Sequence, residues 1–226
     1  MRVVTWGPTR SRPVCLFMVR WTSWYYADDV LTGNSDFVDA KREDPIESYK
    51  SRTIPKMGLL PISDTPPEWV SDMTLRIADV RDVLATTAPL TSDAALGIMR
   101  PGLEEMGFEV EDGRSRRLRR PVLFGEQGVP RVTYEVDAYH PESQILLEVE
   151  AGRGWMGNAV YRDLVRTSLI VGARFLVIGM LIEYRYKSGG RETVNRSYEE
   201  AKNLLDAIYA SRRLALPFEG VLLFGY

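Results

Sequence analysis

The chain has 226 residues, 45% of them apolar and 27% charged, with a formal net charge of -2, a balance that lets burial offset chain entropy and excludes disorder as the overall state. That charge argues against a histone-like, sequence-blind coat on nucleic acid, while leaving room for a basic face offset by acidic residues elsewhere. Cys15 has no second cysteine to pair with, which favours a reducing compartment and makes the cytoplasm the expected location; no run reaches the roughly 18 apolar residues that cross a bilayer, so no membrane association is expected.

Met1 to Met18 mixes Arg2, Arg10 and Arg12 with Trp6 and Pro13 and has no continuous apolar core, so it is not expected to be a signal peptide, and Met18 is an equally good start. Residues 19 to 64 are rich in Asp, Ser, Thr, Pro and Gly around the aromatic group Trp21, Trp24, Tyr25 and Tyr26. They lack sustained periodicity, so residues 1–64 read as an irregular extension ahead of a domain over 65–226. Thr65-Pro66-Pro67-Glu68 has capping-box spacing with proline in the first turn. Val70, Met73, Ile77, Val80 and Leu84 follow at helical intervals, which predicts a helix over 66–86. A second helical stretch opens near Ser92-Asp93 and carries Leu96, Met99, Leu103 and Met106, with Pro101 expected to kink or split it and Gly107 to end it. Phe108 to Glu111 alternates as a short strand before a turn at Asp112-Gly113.

Arg114, Arg116, Arg117, Arg119 and Arg120 then concentrate positive charge in what reads as a loop. Beyond it, Val132, Tyr134 and Val136 alternate with polar residues over 131–139, as do Ile145, Leu147 and Val149 over 144–151, with His140 to Ser143 as the turn of an antiparallel hairpin. Trp155 to Gly172 predicts a helix, and Ala173 to Tyr186 a long strand whose apolar stretch from Phe175 suits burial on both faces. Ser188-Gly189-Gly190 turns the chain. Ser197-Tyr198-Glu199-Glu200 has capping-box spacing ahead of a helix with Ala201, Leu204, Leu205 and Ile208 on its apolar stripe, and Gly220 to Phe224 closes as a strand.

With a four-residue loop, Asp137 is expected opposite Leu146, which puts Asp137, Glu148 and Glu150 on one face of the hairpin. Three converging carboxylates repel one another unless a proton or cation sits among them, and hard oxygen ligands suit Mg²⁺ or Mn²⁺ better than zinc. The bland alternative is a solvated polar face of an amphipathic hairpin. Gly152-Arg153-Gly154 follows directly and opens the next helix, where free backbone N–H groups and Arg153 could hold a phosphate.

The order helix, strand, strand with Asp137, strand with Glu148-Val149-Glu150, helix, strand resembles the PD-(D/E)xK nucleases over roughly residues 92–186. The resemblance implies an α/β fold with a restriction-endonuclease-like core, a mixed β-sheet flanked by helices. It further implies Mg²⁺ or Mn²⁺ held by Asp137 and Glu148, and Glu150 in the place usually taken by Lys, binding metal or orienting the attacking water. Glu104 or Glu105 would match the extra acidic residue that some members contribute from the preceding helix. The implied activity is metal-dependent hydrolysis of DNA phosphodiester bonds, as in a type II restriction enzyme acting as a homodimer, with the arginine cluster and Arg153 on the phosphates. Two alternatives stay open at this stage: a repair or mobile-element nuclease of the same fold, and a nuclease-like module that binds nucleic acid or protein without cutting.

Overall fold

A computed structural model describes residues 56–60, 66–87, 90–151 and 158–226 of the chain. Lys56–Leu60, inside the stretch expected to be irregular, forms strand β1; the rest of the N-terminal extension, with Cys15 and the Trp21–Tyr26 aromatics, lies outside the described residues. The first expected helix runs over Glu68–Thr86 (α1), where Val70, Met73, Thr74, Ile77 and Leu84 are buried at helical spacing. Ser92–Glu105 forms α2, capped by Thr91, whose hydroxyl accepts from the Ala94 N–H at 3.2 Å. Pro101 does not divide it. The carbonyl that loses its donor to proline belongs to Gly97, which is exposed, so water can take the bond and the helix continues. Gly107, with φ of +95°, turns the chain out of the helix into Glu109–Val110 (β2).

Leu118–Phe124 (β3) pairs antiparallel with Pro130–Val136 (β4) as a separate two-stranded ribbon. The expected arginine loop is therefore in part a strand. The chain bends at Asp137 and re-enters the main sheet as Ala138–His140 (β5), followed by Ile145–Glu150 (β6). Ala159–Ser168 (α3) leads to Phe175–Met180 (β7), buried throughout. The single long strand expected over 173–186 is two elements: after Met180 the Ile182 N–H turns to the Tyr226 carbonyl, and Tyr184–Ser188 (β8) pairs instead with Arg191–Asn195 (β9) in a hairpin. Ser197–Ser211 (α4) and Gly220–Gly225 (β10) complete the fold.

Among the described residues the main sheet has six strands in the order β1-β10-β7-β6-β5-β2. β2, β5 and β6 form an antiparallel meander, β7 runs parallel to β6 after the α3 crossover, β10 runs parallel to β7, and β1 closes the edge antiparallel to β10. The chain is thus an α/β protein with a mixed sheet flanked by helices. Strand alternation sorts the core. Ile145, Leu147, Val149, Val177, Leu222 and Phe224 meet α1 and α2, while Leu146, Leu176, Ile178, Val221 and Leu223 meet α3 and α4. Among the described residues no helix is long and apolar enough to cross a membrane.

The expected hairpin register is displaced by two residues. Tyr139, not Asp137, lies opposite Leu146, because β5 continues through His140 and the turn is Pro141–Gln144. An even displacement preserves the face, so Asp137 remains on the side of Glu148 and is brought closer to it along the strand. His140 secures this turn: its Nε2–H donates to the Met106 carbonyl at 2.9 Å, and the Ser143 N–H donates to Nδ1 at 3.2 Å.

Candidate functional site

Asp137 occupies the bend where the chain leaves the β3–β4 ribbon for the main sheet. Its carbonyl accepts from the Glu111 N–H at 2.8 Å, and its carboxylate Oδ2 accepts from the Val149 N–H at 2.7 Å. The second bond ties the side chain to the strand that carries Glu148 and Glu150. Those two residues share the α3 face of β6, near the carboxyl ends of the parallel strands β6 and β7, where open α/β sheets bind ligands. The end of β6 is fixed from two sides: the Ala151 N–H donates to Ser92 Oγ at 3.0 Å, and the Tyr226 hydroxyl donates to the Glu150 carbonyl at 3.0 Å.

A solvated polar face is not what forms. Glu148 is only 8% exposed, and the side chain of Glu150 15%. Burial, the largest cause, pushes the Asp137 carboxyl up to about 7; the Val149 hydrogen bond opposes it, and the negative charges of Glu111, Asp163 and Asp93 add to it. Glu148 is raised well above the usual carboxylate range by burial and then by Asp137 and Asp163, with Arg166 opposing. Glu150 is pushed up to about 8 by burial, by a hydrogen bond that its protonated form shares with Asp163, and by the charge of Asp163, against the pull of Arg162. Each of the three carboxylates feels the others or their common neighbour.

That neighbour was not among the expected site residues. Asp163 lies on α3 at 1% exposure, in a stripe with Val160, Leu164 and Thr167. Its Oδ1 accepts from Arg162 Nε at 3.0 Å, and Oδ2 is buried without a donor among the described residues. The terminal nitrogen of Arg162 donates in turn to Glu150 Oε1 at 2.8 Å. Arg166, one turn on, donates to the Glu135 carbonyl at 2.9 Å and opposes the charge repulsion on Glu148. The sequence signal for Asp163 is an acidic residue three positions after Val160 and just before Leu164, on the stripe that the helix buries.

Other expected site residues lie elsewhere. Glu104 and Glu105 are exposed on the last turn of α2, with Glu105 paired to Arg76 at 2.6 Å; Asp93, at the opposite end of that helix and roughly 18 Å away at 1.5 Å per residue, is the α2 acid whose charge reaches Asp137. The first turn of α2, not the last, faces the carboxylates. In the arginine cluster, Arg117 and Arg119 both bind the Glu135 carboxylate, the latter at 3.0 Å. Arg120 lies over the Tyr139 ring at 3.6 Å, and Arg116 is exposed. The Arg114 side chain and Arg153 lie outside the described residues.

Among the described residues, no group of three or more His, Cys, Asp or Glu side chains is arranged so that it could hold a metal ion as it stands. One oxygen of Glu150 is bonded by Arg162 and one of Asp137 by the Val149 N–H. The donor chemistry nevertheless fits a hard cation, since every acidic group is oxygen and one buried Asp163 oxygen has no donor. No protein-family model matches the chain, and no curated protein matches it in sequence.

Proposed function

We propose that the chain is a Mg²⁺- or Mn²⁺-dependent nuclease of the PD-(D/E)xK type, acting on DNA phosphodiester bonds through Asp137, Glu148 and Glu150. The observation that carries this reading is the gathering of these three carboxylates on one side of the sheet, Glu148 buried and Asp137 and Glu150 partly so, where loss of solvent raises all three and the charge of Asp163 adds to each. The order α2, β2, β5, β6, α3, β7, with an antiparallel meander and a parallel last strand, supports it because this is the succession expected of a restriction-endonuclease-like core.

Asp137 and Glu148 would hold the cation, with Asp137 positioned by the Val149 N–H. A bound Mg²⁺ or Mn²⁺ supplies a lowered water pKa and offsets charge building on the phosphate. Glu150 would bind the cation or orient the attacking water and take its proton. In the metal-free structure Arg162, from the neighbouring helix, places a positive charge beside Glu150, at the position usually taken by Lys. Cleavage of both strands of a duplex would require two copies of the site, and hence a homodimer.

The test is cleavage of supercoiled plasmid with Mg²⁺, Mn²⁺ or Ca²⁺ by the native chain and by Glu148→Ala. Nicking or linearisation with Mg²⁺ or Mn²⁺, reduced about 100-fold or more in the variant, is expected. DNA retention without cutting in any metal, by a chain that folds normally, would replace the enzyme with a binding module.

A further inference from the structure

Asp163 and Glu150 come from different elements, yet one guanidinium joins them. Arg162 gives Nε to Asp163 Oδ1 at 3.0 Å and a terminal nitrogen to Glu150 Oε1 at 2.8 Å. The balance is incomplete in two respects. One positive charge faces a buried acid and a partly buried one, and Asp163 Oδ2, on a side chain 1% exposed, has no nitrogen or hydroxyl donor among the described residues, so that with Glu150 ionised the two carboxylates share that one guanidinium. A divalent ion matches two carboxylates in charge and accepts several oxygens around it, which a planar fork already committed to Oδ1 and Oε1 does not. The Arg162 side chain is itself 55% exposed on a flexible stem, so its guanidinium can turn to water without being stranded.

We infer that Glu150 and Asp163 are ligands of a divalent-cation seat for which Arg162 is the tethered stand-in, so that the cation and the guanidinium exclude each other from it. The inference rests on the reading of the neighbouring carboxylates as a metal centre and adds to it a fourth acidic ligand and a built-in competitor. In the metal-free structure the seat is closed by its own counter-ion, the Arg162 guanidinium on both acids.

The experiment is a Mn²⁺ titration of the full chain, with free ion followed by electron paramagnetic resonance, for native protein, Arg162→Gln, Arg162→Lys and Asp163→Asn. Removing the competing charge in Arg162→Gln is expected to tighten binding roughly five-fold, the equivalent of about 1 kcal/mol for a partly exposed ion pair. Arg162→Lys keeps the charge and is expected to bind like the native chain, and Asp163→Asn to bind at least about ten-fold more weakly. Unchanged or weaker binding by Arg162→Gln overturns the competition, and native-like binding by Asp163→Asn overturns the seat. If Arg162→Gln does not fold without metal, recovery of its fold by Mg²⁺ supports the seat and failure to recover counts against it. The same samples are incubated with plasmid. The expected Mn²⁺ pattern without cleavage keeps the seat and removes the nuclease reading, whereas cleavage without the pattern does the reverse.

Discussion

Raising the pH of the metal-free protein from about 5 to about 9 is expected to destabilise it, opposite to the behaviour of a protein whose acids are held by salt bridges. In the folded chain Asp137 keeps its proton up to about 7, against an ordinary value of 3.8. Between about pH 5 and 7 the folded state therefore binds a proton that the unfolded state has released, and stability falls as pH rises, by roughly 1.4 kcal/mol per pH unit. Across those two units Asp137 alone accounts for about 3 kcal/mol, on the order of a third of a typical domain's stability. Glu150, held up to about 8, extends the decline by a further unit. Saturating Mg²⁺ binds the ionised carboxylates and should flatten the curve. Urea unfolding midpoints at three pH values, in EDTA and in Mg²⁺, measure this directly. A midpoint in EDTA that is level or rises from pH 5 to 9 would show that the carboxylates are not confined together, and the reasoning would fail.

Two further expectations concern the ribbon and the sheet. Because Glu135 holds both Arg117 and Arg119, Glu135→Gln should release two cations to a phosphate partner and strengthen binding of a short duplex at low salt, with a steeper salt dependence by fluorescence anisotropy. A Cβ at Gly179 would overlap the ring of Phe224, so Gly179→Ala should cost about 1–3 kcal/mol in urea unfolding; an unchanged midpoint would contradict the described packing between β7 and β10.

Elements whose apolar residues recur at a regular period were legible in the sequence. The stripe from Val70 to Leu84 became α1, Ala201 to Ile208 lies within α4, and the apolar run beginning at Phe175 became the buried strand β7. Breaks were less legible, because they depend on partners distant in sequence. The bend at Asp137 divides one alternating pattern between two sheets, and alternation alone carries no mark of which neighbour a strand will find. The same cause divided 173–186 at Met180. The ribbon strand Leu118–Phe124 was hidden by the arginines that run into it, and β1 by its shortness between polar stretches. In the site, the Asp137, Glu148 and Glu150 grouping survived the wrong register because the displacement was even. Asp163 was missed because an acidic residue on a helix ordinarily signals the solvent side, and only its spacing from Val160 and Thr167 reveals otherwise.

Calorimetric titration of Mg²⁺ into the native chain and into Glu148→Gln, at pH 7 in buffers of different ionisation heat, tests the central claim most directly. The account predicts that the native chain binds the ion and releases protons as it does so, since acids that hold protons near pH 7 become ligands, and that Glu148→Gln loses most of this binding. Equal Mg²⁺ binding by the two proteins, or binding with no proton release, would contradict it.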